Sequence, residues 1–237
     1  MVLLIDAGNS RLKWAWLCDG VPGNEAGTEL GALDTVSLRA AWRDATAAVY
    51  ACVAGDVIDA LLRAALPSGA AVHRVRAEST ACGLVNLYDR PGQLGADRWL
   101  ALIGARTLEA GPLVVATAGT ATTVDALDAA DRFVGGHILP GLHMMLQSLA
   151  RNTADLPHAQ GVPAIWPRNT DDAILNGCAG AQAALIERVQ GRLGDGATLL
   201  LSGGGADALV PHIGTAFRRV DNLVLRGLAR IAADVLK

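Results

Sequence analysis

The stretch Val2-Leu3-Leu4-Ile5-Asp6-Ala7-Gly8-Asn9-Ser10-Arg11-Leu12-Lys13-Trp14-Ala15-Trp16 decides how the rest of the chain is read. Residues 2–5 are a short apolar run that stops at an acid, a glycine, an amide and a hydroxyl. Leu12, Trp14 and Trp16 then alternate with Lys13 and Ala15, the period-two pattern of a strand. Two strands joined through residues 6–10 make a hairpin with an acidic, glycine-bearing tip. The same order of features returns in mid-chain. The apolar run Leu113-Val114-Val115 leads into Thr117-Ala118-Gly119-Thr120-Ala121-Thr122-Thr123-Val124-Asp125. Both tips read Ala-Gly, then Asn or Thr, then Ser or Ala, and each opens one half of the chain, which predicts an internal duplication.

Outward from the tips, helices are predicted over 38–49, 57–66, 96–110, 142–150, 171–193 and 222–236, and strands over 48–53, 72–75, 132–138 and 198–202. Residues 155–169 hold Pro157, Pro163 and Pro167 with little periodicity and read as a loop. Strands alternating with helices after an opening hairpin predict an α/β fold with a mixed sheet in each half, residues 1–112 and 113–237.

Composition narrows the function classes. At 51% hydrophobic and 18% charged, the 237 residues make a folded chain with a sizeable core. Mean hydropathy is positive, +0.32, yet no apolar run approaches the roughly 20 residues of a membrane span. The apolar start has no basic region before it and ends at Asp6, unlike a signal peptide. Cys18, Cys52, Cys82 and Cys178 lie far apart without a CxxC pair, as reduced thiols of a cytoplasmic protein do. A net charge of −3 without a basic stripe argues against nucleic acid as the main partner. No membrane partner is expected either.

Binding a γ-phosphate takes bare backbone N–H groups, hydroxyl or amide donors, and a carboxylate for Mg²⁺. Residues 6–10 supply all of these, with Lys13 adding positive charge; a ligand-free Asp-x-Gly-Asn turn is the other reading of the same residues. No G-x-x-x-x-G-K-[ST] or G-x-G-x-x-G segment is present. Two phosphate hairpins and the later cluster Gly203-Gly204-Gly205 point instead to a duplicated actin-like (ribonuclease H-like) ATPase fold, two similar halves with mixed sheets.

With these motifs the chain resembles the type III pantothenate kinases over nearly its full length. Asp6-x-Gly8-Asn9-Ser10-x-x-Lys13 resembles that family's D-x-G-N-[ST]-x-x-K, Gly95-Ala96-Asp97-Arg98 its G-x-D-R, and Gly119-Thr120-Ala121-x-Thr123-x-Asp125 its second phosphate motif. Gly135-Gly136-x-Ile138-x-Pro140-Gly141, Leu149-x-x-x-Thr153-Ala154-x-Leu156-Pro157 and Asn169-Thr170 followed by Ala173-Ile174-x-x-Gly177 come in the family's order. The resemblance implies ATP-dependent phosphorylation of pantothenate, the first step towards coenzyme A.

It also implies residue roles. Asp6, Ala7, Gly8, Asn9, Ser10, Arg11, Leu12 and Lys13, with Gly119 and Thr120, would handle ATP phosphates, Asp6 acting through Mg²⁺. Asp97 would be the base, at a helix start where the dipole suits a carboxylate; on the residues alone the first reading is a first-turn acid or a partner of Arg98. Tyr88, Gly95, Ala96, Asp97 and Arg98 would meet pantothenate, Arg98 through its carboxylate. A satisfied core tyrosine and a loop-steadying arginine are the plain alternatives. Thr170 reads as a helix N-cap, and the resemblance implies that it reaches pantothenate in the partner subunit of a homodimer. Gly203-Gly204-Gly205 admits adenosine or makes a tight turn. One position departs from the family: Thr117 stands where an aspartate usually holds a monovalent cation, so dependence on K⁺ or NH₄⁺ is expected to be weaker or differently built. The competing functions are an accessory factor in transcriptional regulation and another phosphotransferase of the same fold.

Overall fold

The computed structural model describes residues 1–236. The chain divides into two units: Met1–Leu108 together with the segment from Asn222 onward, and Glu109–Asp221.

Unit 1 is built on β1 (Val2–Ala7), β2 (Arg11–Cys18), β3 (Val21–Glu29), β4 (Ala47–Cys52) and β5 (Ala71–Arg74), in the order β3-β2-β1-β4-β5. The first three are antiparallel neighbours, and β4 and β5 join parallel to β1. Central β1 is covered on both faces, so Leu3, Leu4 and Ile5 are all fully buried and their alternation is lost. Helices α1 (Thr35–Trp42) and α2 (Asp56–Ala65) supply Leu38, Trp42 and Leu62 to a core with Leu3, Ile5, Leu12 and Tyr50. Trp14 meets Trp42 edge-on at 5.9 Å. The start of α1 is set by Asp34, whose carboxylate accepts from the amides of Val36 and Ser37. A short hairpin, β6 (Thr80–Ala81) with β7 (Leu84–Asn86), precedes α3 (Ala96–Arg106).

Unit 2 contains β8 (Leu113–Ala118), β9 (Ala121–Leu127), β10 (Arg132–Pro140), α4 (Leu142–Asn152), α5 (Thr170–Leu193), β11 (Thr198–Ser202) and β12 (Arg218–Arg219). Its strand order is β10-β9-β8-β11-β12, antiparallel through the first three and parallel through the last three. Strand for strand, order and sense repeat unit 1. The duplication read from the two tips is therefore a duplication of the whole sheet.

Helix α6 (Leu223–Val235) belongs to unit 1, where it lies against α3. Glycines set the distance of approach: a Cβ at Gly104 would stand 2.1 Å from the Leu223 carbonyl oxygen, and one at Gly227 2.1 Å from that of Leu100. Neither position has room for a methyl group without moving backbone.

Several expectations need correction. The helix expected over 38–49 stops at Trp42, while the strand expected over 48–53 is present as Ala47–Cys52, buried at every residue. Alanine favours helix in isolation, but burial between β1 and β5 overrides that preference. The helix expected over 96–110 ends at Arg106. Strand β3, rich in Gly and exposed at the sheet edge, carries no alternating apolar signal and lies outside the expected elements. So do the short strands β6, β7 and β12.

Candidate functional site

The first hairpin tip forms where the Gly8 amide donates to the Arg11 carbonyl, 3.1 Å, closing residues 8–11. The fold does not need glycine there. Gly8 has no left-handed φ, and a Cβ would meet one carbonyl oxygen at an ordinary 3.5 Å. The second tip behaves alike: Gly119 N–H donates to Ala121, 3.0 Å, and its Cβ would lie 3.5 Å from the same carbonyl. Glycine at both tips leaves bare backbone towards solvent, the surface a phosphate needs.

Asp6 and Lys13 face each other in register across β1 and β2. Desolvation pushes the Asp6 carboxyl up to about 7, the Asp97 charge adds to the rise, and Lys13 opposes it. An acid kept where its charge is unfavourable suits a cation that arrives with a ligand, so the residues present fit phosphate-bound Mg²⁺. The Lys13 ammonium donates to Asn222 Oδ1, 2.9 Å. Arg11 pairs with Glu29 at 3.4 Å on the surface, while Ala7 and Leu12 are buried. Asn9 and Ser10 are exposed at the tip. In unit 2 the register equivalents of Asp6 and Lys13 are Thr117 and Thr123, and Thr117 also faces Ser202. The duplicated tips thus differ in chemistry: charged in unit 1, lined by hydroxyls in unit 2.

Asp97 occupies the first turn of α3, and its Oδ1 accepts from the Arg98 amide, 2.9 Å. Gly95 makes this possible, since a Cβ there would lie 2.5 Å from that oxygen. The glycine of the G-x-D-R motif is therefore a seat for the Asp97 carboxylate. The coupling between Asp6 and Asp97 brings two distant motifs into one electrostatic site within unit 1. Arg98 is only 6% exposed. Its Nη1 donates to the Tyr88 hydroxyl, 3.1 Å, and the guanidinium carbon lies 5.8 Å from the Tyr88 ring centroid. Buried Asn86 organises this loop: its Nδ2 donates to the carbonyls of Glu78 and Pro91, and its Oδ1 accepts from the Tyr88 amide. The sequence signal for Asn86 is weak, a lone amide beside a tyrosine.

Around the second tip, two glycines from outside its hairpin close on it. Gly141 N–H donates to Thr120, 2.9 Å, and its Cβ would lie 2.1 Å from the Gly119 carbonyl oxygen. Gly203, with φ +95°, would put a Cβ 2.1 Å from the Ala118 oxygen, and the Gly205 amide donates to that oxygen at 3.0 Å. Gly203-Gly204-Gly205 thus makes a tight turn that buttresses the tip. A buried link ties the same hairpin to α5, Thr122 donating to Gln182 Oε1 at 2.7 Å. Asp125 lies buried in β9 opposite Val115 and Gly136.

Thr170 is not the N-cap of α5. Asn169 fills that position and accepts from the Asp172 amide, which leaves Thr170 exposed in the first turn. Thr170 lines a groove of about 670 Å³ together with Leu149, Leu156, Pro167, Ile174 and Cys178.

Comparison with known proteins agrees with these features. Residues 2–192 match the model of the type III pantothenate kinase family. A type III pantothenate kinase of Aromatoleum aromaticum is 48% identical, covering 99% of this chain and 98% of that protein. Among solved structures, a protein of Campylobacter jejuni described as a Baf family transcriptional activator superposes with TM-score 0.66 at 22% identity, covering 98% of each chain. A protein of Sinorhizobium meliloti described as a 2-dehydro-3-deoxygalactonokinase gives TM-score 0.57 at 16% identity, covering 99% of each. At such identities the structures speak for the fold alone, which is the duplicated actin-like fold of sugar kinases.

Proposed function

The chain belongs to the type III pantothenate kinase family, and we propose that it transfers phosphate from ATP to pantothenate, with Asp97 taking the proton of the attacking hydroxyl. The observation that carries this reading is the convergence of Asp6, beside a glycine tip the fold does not require, with Asp97, seated on Gly95. A regulator or a simple binding module has no use for a second carboxylate that raises the pKa of the first.

The pantothenate hydroxyl oxygen bonds to the γ-phosphorus, the bond to the β–γ bridging oxygen breaks with its electron pair leaving on ADP, and the hydroxyl proton passes to the Asp97 carboxylate. Asp6 would hold Mg²⁺ through the phosphates; when bound, that ion neutralises phosphate charge. Gly8, Asn9 and Ser10 present backbone and side-chain hydrogen-bond donors to phosphate, Lys13 adds positive charge, and in unit 2 Gly119 and the Thr120 hydroxyl are the corresponding hydrogen-bond donors. Arg98, backed by Tyr88, orients the pantothenate carboxylate. Arg98→Met is expected to raise KM for pantothenate on the order of 100-fold while KM for ATP changes little.

The deciding experiment is ADP release from Mg²⁺-ATP with and without pantothenate, in K⁺ and in Na⁺. Release that depends on pantothenate supports the reading. Release without it favours another phosphotransferase, and none from folded protein favours a regulatory role. With Thr117 flanked by hydroxyls, rates in the two salts are expected to differ by less than about threefold, because neutral oxygens hold a monovalent cation more weakly than a carboxylate does. A large preference for K⁺ would mean that another carboxylate serves the site.

The reading extends to a cytoplasmic homodimer in which Thr170, exposed on its groove, reaches pantothenate in the partner subunit. Its four cysteines are free, as a reducing compartment requires. Light scattering and assay over a dilution series test the dimer, and a fully active monomer would refute it.

A further inference from the structure

Lys13, a cation of the first phosphate segment, points into a side-chain relay. Its ammonium donates to Oδ1 of Asn222 at 2.9 Å, and Nδ2 of the same amide donates to the Glu25 carboxylate. The three residues come from β2, from β3 and from the residue preceding α6, all within unit 1. Asn222 itself sits in the left-handed region, φ 55° and ψ 38°, a conformation that disfavours most side chains and that asparagine tolerates. Its side chain caps none of the α6 amides, although an asparagine at this position usually does so. The amide is turned instead towards Lys13.

The chemistry fixes which way that amide faces. A carboxylate can only accept, so the nitrogen of Asn222 must face Glu25 and the oxygen must face Lys13. A lysine ammonium on a four-carbon stem otherwise samples many rotamers, and ordering it on ligand binding costs affinity. We propose that Asn222, oriented by Glu25, is a positioning residue that holds Lys13 ready for ATP phosphate. This deepens the reading above, since it rests on Lys13 meeting phosphate.

The test is a double-mutant cycle read as KM for ATP against kcat. Asn222→Gly keeps the left-handed backbone and removes only the amide. It is expected to raise KM for ATP about tenfold, the loss of one charge-assisted hydrogen bond, with KM for pantothenate unchanged. Lys13→Met should raise KM for ATP at least as much, and adding Asn222→Gly to it should then change KM for ATP by less than about twofold, because coupled residues are not additive. Independent, additive effects of the two substitutions would overturn the proposal, as would an unchanged KM for ATP in Asn222→Gly beside a raised one in Lys13→Met. A Lys13→Met enzyme with wild-type KM for ATP would overturn the phosphate role of Lys13 and the proposal with it. Should Asn222→Gly fold poorly, N222D combined with E25Q offers Lys13 an acceptor without the repulsion between carboxylates. That pair is expected to keep KM for ATP within about threefold of wild type, and E25Q alone to raise it. A pair no better than N222D alone would count against the relay.

Discussion

Asp97→Asn is expected to lower kcat by about 10³–10⁴-fold, the upper range for loss of a general base, with KM for both substrates within a few fold of wild type. The asparagine oxygen can still accept the Arg98 amide hydrogen bond that Asp97 Oδ1 accepts at 2.9 Å, so the first turn of α3 keeps its local structure. What it loses is the ability to take a proton. Steady-state kinetics and a circular dichroism melt on the same preparation check both halves of the expectation. An Asp97→Asn enzyme with near-normal kcat would remove Asp97 from the chemistry and leave it an ordinary first-turn acid. The same substitution also withdraws one of the two causes that hold the Asp6 carboxyl high, so Asp6 should titrate at lower pH in the variant.

Asp6→Asn should show the opposite sign in two measurements. Turnover is expected to fall at least about 100-fold, since a group aimed at phosphate and its metal stabilises the charge of the transferring group. Stability, measured in chelator, is expected to rise. The Asp6 carboxyl is raised from 3.8 to about 7, so between those values the folded protein binds a proton that the unfolded chain has already released. The slope of unfolding free energy with pH is then negative through that window. Stability from this group is fullest below pH 4 and lost as pH rises towards 7. The substituted amide has no proton to lose, so the variant should melt at the wild-type temperature at pH 4 and on the order of 10 °C higher at pH 8, each pKa unit being worth about 1.4 kcal/mol and each kcal/mol about 2–4 °C at this chain length. Equal melting temperatures at both pH values would show that Asp6 carries no such burden in the free protein. An active site that is costly to the fold is what function demands of a desolvated acid.

Much of this was legible in the chain. The apolar run before Asp6 and the alternation after it gave the hairpin, and its echo at residues 117–125 gave the repeat. Register and order of motifs gave the family. Other features left no readable trace. The end of α1 is one of them: the strand expected over 48–53 is there as Ala47–Cys52, but its alanine, valine, tyrosine and cysteine also suit helix spacing, which carried the expected helix seven residues past Trp42. Edge strand β3 is polar and glycine-bearing, so its pairing with β2 depends on backbone hydrogen bonds that have no side-chain pattern. At the site, Gly95, Gly141 and Gly203 were visible as glycines, but what each must leave room for is a carboxylate or a carbonyl brought up by the fold. Asn169 takes the cap expected of Thr170 because its amide can both accept from the Asp172 backbone and donate to the Asp172 side chain. Asn222 stands at the expected start of the closing helix; its use as an acceptor for Lys13 depends on a contact 209 positions apart.

The placement of α6 has a consequence for how the protein is made. Unit 2 is one unbroken stretch, whereas unit 1 draws on residues from both sides of it. During synthesis at about 5–20 residues per second, every strand of unit 2 has left the ribosome before α6 follows. Until then the glycine-lined side of α3, with Gly104 at its closest point of approach, stays bare. The unit that bears Asp6 and Asp97 is therefore the later of the two to mature, although most of its residues are translated first. For that interval the surface of α3 that α6 covers is open, and Lys13 has no Asn222 to donate to.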